Sequence, residues 1–286
     1  MLGAKSPGTA EKFTIELSVA PLNDILILAQ QGQLDVVTQG VSAGTLNLLA
    51  SGEDLRFVFP GGAHAGGGTA LGFWARKDIL GDDEMLQVEE LPGMKIASVA
   101  GNLAATNAWF WKMVDEMGGG VTPEDVTYTD LGYADAANAI VNGAVQLAFT
   151  ITPFNELIEE SGCCVFLHDA APDVPASGYV FGPNMYKPEN KELGQAFVRA
   201  MARTVRDHMQ GDYEANPEVL DAIAVQTELP AEQIRTTPSL TFVDRMPDES
   251  VLVAANFFDS IGILDFDPAQ APTLIDSSWI GAATEG

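Results

Sequence analysis

One segment of this chain occurs twice, and the duplication limits what the chain can fold into. The first copy is NDILILAQQGQLDVVTQG, Asn23 to Gly40, and the second is ADAANAIVNGAVQLAFTIT, Ala134 to Thr152. In each copy an Asp (Asp24, Asp135) stands eight residues before a Gly (Gly32, Gly143), and the residues between have helical apolar spacing. Asp35 or Gln146 follows, then an apolar run ending at Thr38 or Thr150. Each copy therefore predicts a helix, a glycine stop and a short buried strand with a hydroxyl at its carboxyl end. Two such half-domains imply two lobes facing each other. Their strand ends would point at a common cleft, where open α/β sheets bind ligands.

A length of 286 residues leaves room for two domains, and a hydrophobic fraction of 47% is that of a globular chain. With 14 Lys and Arg against 40 Asp and Glu, the net charge is -26. That balance argues against nucleic acid and against electrostatic docking on anionic lipid. Plain solubility and a salt-rich habitat both account for it. The two cysteines, Cys163 and Cys164, are adjacent. Adjacent cysteines rarely bridge each other, so they read as small core residues, without metal-ligand spacing around them. No apolar run is long enough for a membrane span, and no export signal opens the chain as it stands.

The remaining pattern supplies the other elements. FTIELSVAP (Phe13 to Pro21) predicts a strand after a short helix within residues 2–12. Ser42 to Gly52 predicts a helix with a Ser cap, Leu55 to Gly61 a buried strand, Gly61 to Gly68 a mobile glycine loop, and Thr69 to Asp78 a strand within a crossover. Met94 to Gly101, Val126 to Leu131, Cys163 to Ala170 and Ser177 to Tyr186 predict strands, and Asn102 to Gly118 a helix. Three helices follow, over Glu189 to Gln210, Asn216 to Thr227 and Asp248 to Leu264, and then a surface tail. Trp109, Phe110 and Trp111 fall on one helix, where Trp109 and Trp111 point to different faces, predicting one in the core and one partly exposed.

In this order the pieces resemble the type II periplasmic solute-binding proteins of the nitrate, sulfonate and taurine type, with their thiamine-pyrimidine-synthase-like relatives. The residues that carry the resemblance are Gly32 to Thr38, Ala50 to Val58, Ala70 to Asp78, Leu91 to Asn102 and Ile151 to Phe154. It covers most of residues 1–187. It implies an α/β, two-lobed type II periplasmic-binding-protein fold, with two mixed sheets flanked by helices and further helices at the C-terminus. Lobe one would comprise residues 1–92 and 178–286, and lobe two residues 93–177, with a cleft between them and a hinge near Ala75 to Asp78 and Tyr179 to Pro183. Family members begin with an extra strand that is central in lobe one. Here it is missing, which would leave a sheet edge open: either the sequence starts late, its signal peptide lost upstream along with the strand, or this lobe is built incompletely.

The function implied is that of the solute-binding component of an ABC-type importer. It needs no catalyst and no cofactor, and works as a monomer with a permease, in the periplasm or outside the cell, with lipid anchoring left open. The ligand would be a small oxyanion, organic acid or sulfonate. The scarcity of Lys and Arg around the cleft favours neutral dipoles and keeps a neutral pyrimidine in view. A thiamine-pyrimidine-synthase-like enzyme and a ligand-sensing module are the alternatives.

Candidate binding residues come from strand ends and helix starts. Thr38, Gln39 and Gly40 end the first repeat strand, and Thr150 and Thr152 the second. Ser42, Gly101, Asn102 and Thr106 lie where helix N-termini could meet an anion, with ordinary N-capping as the competing role for Ser42 and Asn102. Asn23 follows a strand end but could cap its helix, His64 lies in the glycine loop, and Phe154 and Tyr179 are candidate cleft walls. His168 and His208 read as structural. Replacing Asn102 or Thr38 with alanine is expected to weaken binding without unfolding the protein.

Overall fold

Both repeat copies fold into the same unit. The structure, a computed structural model, describes residues 13–18, 22–52, 54–64, 71–81, 85–99, 105–169, 174–227, 230–236 and 240–280. The first part of the chain forms α1 (Leu22–Gln30), β1 (Val36–Gly40), α2 (Ala43–Ser51), β2 (Arg56–Pro60), β3 (Gly62–His64) and β4 (Leu71–Arg76). The middle forms β5 (Lys95–Ser98), α3 (Ala105–Glu116), β6 (Thr127–Asp130), α4 (Tyr133–Val141), β7 (Leu147–Ile151), α5 (Phe154–Ser161) and β8 (Cys164–Asp169). The chain continues through β9 (Ser177–Phe181), α6 (Lys191–His208), α7 (Pro217–Thr227), α8 (Ala231–Thr236), β10 (Leu240–Phe242) and α9 (Asp248–Ser260).

Helices α1 and α4 are each nine residues long, and β1 and β7 each five. Between helix and strand, Gly32 and Gly143 take left-handed φ values of 72° and 75°. The Gly32 N–H donates to Ala29 O and the Gln33 N–H to Leu28 O, each at 2.9 Å; Gly143 and Ala144 donate to Ile140 O and Ala139 O at 3.1 and 2.8 Å. This is one helix-ending motif used twice, satisfying the last carbonyls of both helices. Asp35 and Gln146 also have matching work. Asp35 accepts from Asn184 Nδ2 at 3.1 Å, and Gln146 Oε1 accepts from the Lys95 N–H at 2.9 Å.

The two copies sit in different sheets. A five-stranded sheet has the order β6-β5-β7-β4-β8, with β5 parallel to β6 and β7 and with β4 antiparallel to β7 and β8. A three-stranded sheet has the order β1-β9-β2, with β9 antiparallel to both neighbours. The two small strands β3 and β10 form a separate antiparallel ladder. Thus β7 has a parallel partner, β5, on one side, whereas among the described residues nothing pairs with the corresponding edge of β1. Residues 13–18, expected as a strand, form none, and Ile15 and Leu17 are 53% and 73% exposed. Among the described residues they have no ladder to join.

Further expectations are corrected. Strand β4 is not a crossover: Ala75 pairs with Leu147 on one side and Val165 on the other, so bending there would break two ladders. Tyr179 to Phe181 are likewise paired on both sides. Gly62–His64 is strand β3, its His64 paired with Leu240. The C-terminal residues are no surface tail: Ala271, Leu274, Trp279 and Ile280 are buried, and the Asp276 N–H donates to Phe57 O at 2.8 Å, at the edge of β2. Cys163 and Cys164 form a disulfide, although Cys164 is buried as expected. The helix expected within residues 2–12 lies outside the described residues.

The largest hydrophobic core joins residues of both sheets, among them Phe57, Phe73, Ile96 and Leu147, with Val251, Phe257 and Phe258 of α9. Helix α9 packs on α3 and α2. This explains why Trp109, Phe110 and Trp111 are all buried, where the sequence predicts one partly exposed. Phe110 meets Phe73 at 4.7 Å between ring centroids, Trp111 Nε1 donates to the Tyr128 hydroxyl at 2.7 Å, and Lys112 lies over the Trp109 ring at 5.0 Å.

Candidate functional site

In the five-stranded sheet, each parallel strand runs into a helix at its carboxyl end: β5 into α3, β6 into α4 and β7 into α5. Residues at those junctions therefore gather along one edge of the sheet. Ser98 ends β5, opposite Asp130 in the β6 register, and is fully buried. Thr150, also fully buried, donates its hydroxyl to Oδ1 of Asn155 in the first turn of α5. The Thr152–Pro153 peptide between them is cis. Tyr133 opens α4, stacks on Phe154 at 6.3 Å with 25° between ring planes, and meets Phe149 edge-on at 6.1 Å. Burial raises the pKa of its hydroxyl, which is thereby held as a neutral O–H donor.

Thr106 stands in the first turn of α3, and its Oγ1 is buried without a hydrogen-bond partner among the described residues. In the three-stranded sheet, Gln39 on β1 is 5% exposed and its Nε2 is buried and equally without a partner among the described residues. A buried polar atom left unsatisfied costs about 1–3 kcal/mol. Such atoms at helix-start and strand-end positions are open to a partner beyond the described residues, water or ligand.

The other sequence-predicted residues fall as follows. Thr38 is exposed on β1 beside Gln39, and Gly40 ends the strand. Ser42 is the N-cap of α2: its Oγ accepts the Thr45 N–H at 3.2 Å and lies 3.0 Å from Thr45 Oγ1. Asn23 is the second residue of α1, and Thr152 lies in the turn between β7 and α5. Phe154 forms part of the Tyr133 aromatic group. Tyr179 instead packs between Phe59 and Phe197 of α6, with centroids at 6.4 and 6.0 Å, and burial raises its pKa. His64 lies on β3. Gly101 and Asn102 lie outside the described residues. Sequence reasoning missed Ser98, Tyr133 and Asn155. The strand-end rule that selected Thr150 would have found Ser98 at the end of KIAS, and the helix-start rule the other two.

Apart from the Asp130 carboxylate at the end of β6, the junction residues are neutral donors and acceptors: hydroxyls, amides and one phenol. They can replace the water around a small polar solute but cannot neutralise its charge by ion pairing. Among the described residues there is no cluster of three or more His, Cys, Asp or Glu able to hold a metal ion, and no helix is long and apolar enough to cross a membrane.

No family model and no curated protein matches the sequence. Solved structures do match the fold. The alkanesulfonate-binding protein SsuA from Xanthomonas axonopodis pv. citri, bound to MOPS, is 16% identical with a TM-score of 0.55, over 88% of this chain and 83% of that one. The periplasmic aliphatic sulphonate-binding protein SsuA from Escherichia coli is 18% identical with a TM-score of 0.57, over 87% and 79% of the two chains. The periplasmic nitrate-binding protein NrtA from Synechocystis PCC 6803 is 11% identical with a TM-score of 0.64, over 92% and 77%. At these identities the likeness is one of fold, and the fold is that of the two-lobed periplasmic binding proteins.

Proposed function

We propose that this protein is the solute-binding component of an ABC-type importer, taking a small polar solute into the cleft between its lobes and presenting it to a permease. The observation that carries the reading is the pair of buried, unpartnered polar atoms, Gln39 Nε2 and Thr106 Oγ1, one on each sheet's side of the proposed cleft. The structural neighbours that bind sulfonates and nitrate support it. In this reading Gln39, Ser42 and His64 contribute from lobe one, and Ser98, Thr106, Thr150, Thr152 and Asn155 from lobe two, with Tyr133 and Phe154 as an aromatic wall. The lobes close about a hinge between them, and ligand shifts the population toward the closed form. A cleft lined by neutral dipoles suits a solute whose charge is small or spread over several oxygens, such as a sulfonate, nitrate or a polar heterocycle. The site of action would be the periplasm or the cell exterior.

The test is a melting-temperature screen with nitrate, bicarbonate, taurine, alkylsulfonates, small carboxylates and hydroxymethylpyrimidines. A true ligand at 100 times its Kd stabilises the protein by about 2.7 kcal/mol. A shift with one chemical class, lost in Thr106→Val, supports the reading. A shift that survives Thr106→Val and Gln39→Leu together places the ligand elsewhere and overturns the assignment of the cleft.

A further inference from the structure

The only two cysteines of the chain, Cys163 and Cys164, are neighbours in sequence and are bonded to each other. A disulfide stabilises a fold mainly by closing a loop in the unfolded chain, and this one closes nothing beyond the peptide between its own residues. The corner it occupies, between α5 and β8, is held by other contacts. The Cys163 carbonyl accepts the Lys77 N–H at 2.9 Å, and the Cys163 N–H donates to Ser161 Oγ at 3.2 Å. Cys164 opens β8 in register with Arg76 of β4. These bonds and this ladder use backbone atoms and a serine, not the sulfurs, so the local fold does not depend on the bridge.

The setting suits exchange chemistry instead. The bridge spans a single peptide, with 3.7 Å between its Cα atoms, where ordinary disulfides span about 4.4–6.8 Å, and a bridge outside that range is the more readily reduced. Its two halves differ in access. Cys163 is half-buried and follows the exposed Ser161 and Gly162, whereas Cys164 is 8% exposed and packs in a core cluster with Trp74 and Ile158. A thiolate arriving from solvent therefore meets Cys163 Sγ and displaces Cys164 Sγ. After reduction the two thiols remain neighbours, and the chain holds no third cysteine with which either could mispair.

We infer that Cys163–Cys164 is a redox-active pair in the folded protein, reduced by dithiols and re-formed by disulfides. One thiolate of the dithiol attacks Cys163 Sγ, breaking the bridge and leaving a mixed disulfide at Cys163 and a thiol at Cys164. The second thiol of the dithiol then attacks its own partner sulfur in that mixed disulfide and releases Cys163. The dithiol leaves as a cyclic disulfide, having passed two electrons and two protons to the cysteines. The reverse exchange with a disulfide such as oxidised glutathione restores the bridge and yields two molecules of the reduced thiol. The site rests on neither the cleft nor the transport reading.

The test treats the full chain with dithiothreitol in the absence of denaturant, alkylates it with iodoacetamide and reads the mass. Both cysteines are expected to become alkylated, the reduced protein to melt where the oxidised one does, and oxidised glutathione to return the pair to a form that iodoacetamide does not touch. The point of attack is read from Cys164→Ala and Cys163→Ala, each carrying 2-mercaptoethanol as a mixed disulfide on its remaining cysteine. Dithiothreitol should release it at least about tenfold faster from Cys163 than from Cys164 in the folded protein, and at like rates in urea, where access is equal. Alkylation that appears only in urea marks a structural bridge and overturns the inference. So does reduction that lowers the melting temperature by many degrees, or a reduced pair that oxidised glutathione does not close. Equal release from the two folded variants overturns the assignment of Cys163 as the point of attack.

Discussion

Replacing Gly143 with alanine tests the repeat motif on which the architecture stands. Gly143 holds φ at 75°, and a Cβ there would stand 3.3 Å from Nη1 of Arg76. That same Nη1 donates to Ile140 O at 2.9 Å, so the guanidinium has little freedom to retreat. The left-handed conformation costs a residue with a Cβ about 1–2 kcal/mol. Alanine's stiffer unfolded chain returns about 0.4–1 kcal/mol. The net loss is then about 1 kcal/mol, somewhat larger if Arg76 is displaced from the helix end. Gly32→Ala should cost about the same, because its φ is 72° and its nearest contact is Asn184 Oδ1 at 3.4 Å. The two turns share no partner, so the double variant should lose the sum, about 2 kcal/mol. Gly52 provides the internal control. With φ at -131° and its nearest atom 4.0 Å away, Gly52→Ala should be neutral or stabilising. Urea unfolding with an unchanged m-value is the assay. If Gly143→Ala is as stable as Gly52→Ala, the left-handed turn is not what ends α4, and the equivalence of the two units fails.

Three other outcomes follow from the structure. Thr106→Val removes a buried, unpartnered hydroxyl and should raise the unfolding free energy by up to about 1–3 kcal/mol while weakening the cleft ligand, read by melting with and without ligand. Asp78 is held below its ordinary pKa of 3.8, chiefly by the hydrogen bond from Arg76. A depressed folded-state pKa gives stability that is present above 3.8 and lost as pH falls through the lower folded value. Asp78→Asn should therefore cost a few tenths of a kcal/mol at neutral pH, about the value of an exposed ion pair, and nothing in strong acid, read by urea unfolding across pH. Reducing the Cys163–Cys164 disulfide should leave the melting temperature nearly unchanged, because a bridge between neighbours closes almost no loop in the unfolded chain. A fall of many degrees on adding reductant would refute that account.

What the sequence discloses here is local order. The helical spacing of Ile25 to Ala29 and of Ala136 to Ile140, with a glycine at a fixed distance, makes both repeat units readable because every contact that defines them lies within a few residues. Pairings that join distant parts of the chain are not written locally. Leu71–Arg76 is buried on both faces, which marks a central strand but does not say in which sheet. The short strands at Gly62–His64 and Leu240–Phe242 form only because they meet each other. The C-terminal residues look like a tail by composition, since Pro and Ser hide the burial of Leu274, Trp279 and Ile280. In the candidate site, Thr38 and Thr150 stand out alike at strand ends, yet one is exposed and the other fully buried. Only the neighbouring strands decide that difference.

Among the described residues one edge of β1 is unpaired, and that gives the acidity of the chain a second meaning. A bare strand edge is a template for any extended chain, including another copy of this one. A net charge of -26 keeps two copies apart over the distance at which such pairing begins. That guard depends on ionic strength: the screening length falls from about 10 Å at 0.1 M salt to about 3 Å at 1 M. Backbone hydrogen bonding has no such dependence. Rising salt would remove the repulsion and leave the template, so dilute buffer is the medium in which this molecule stays apart from its own kind.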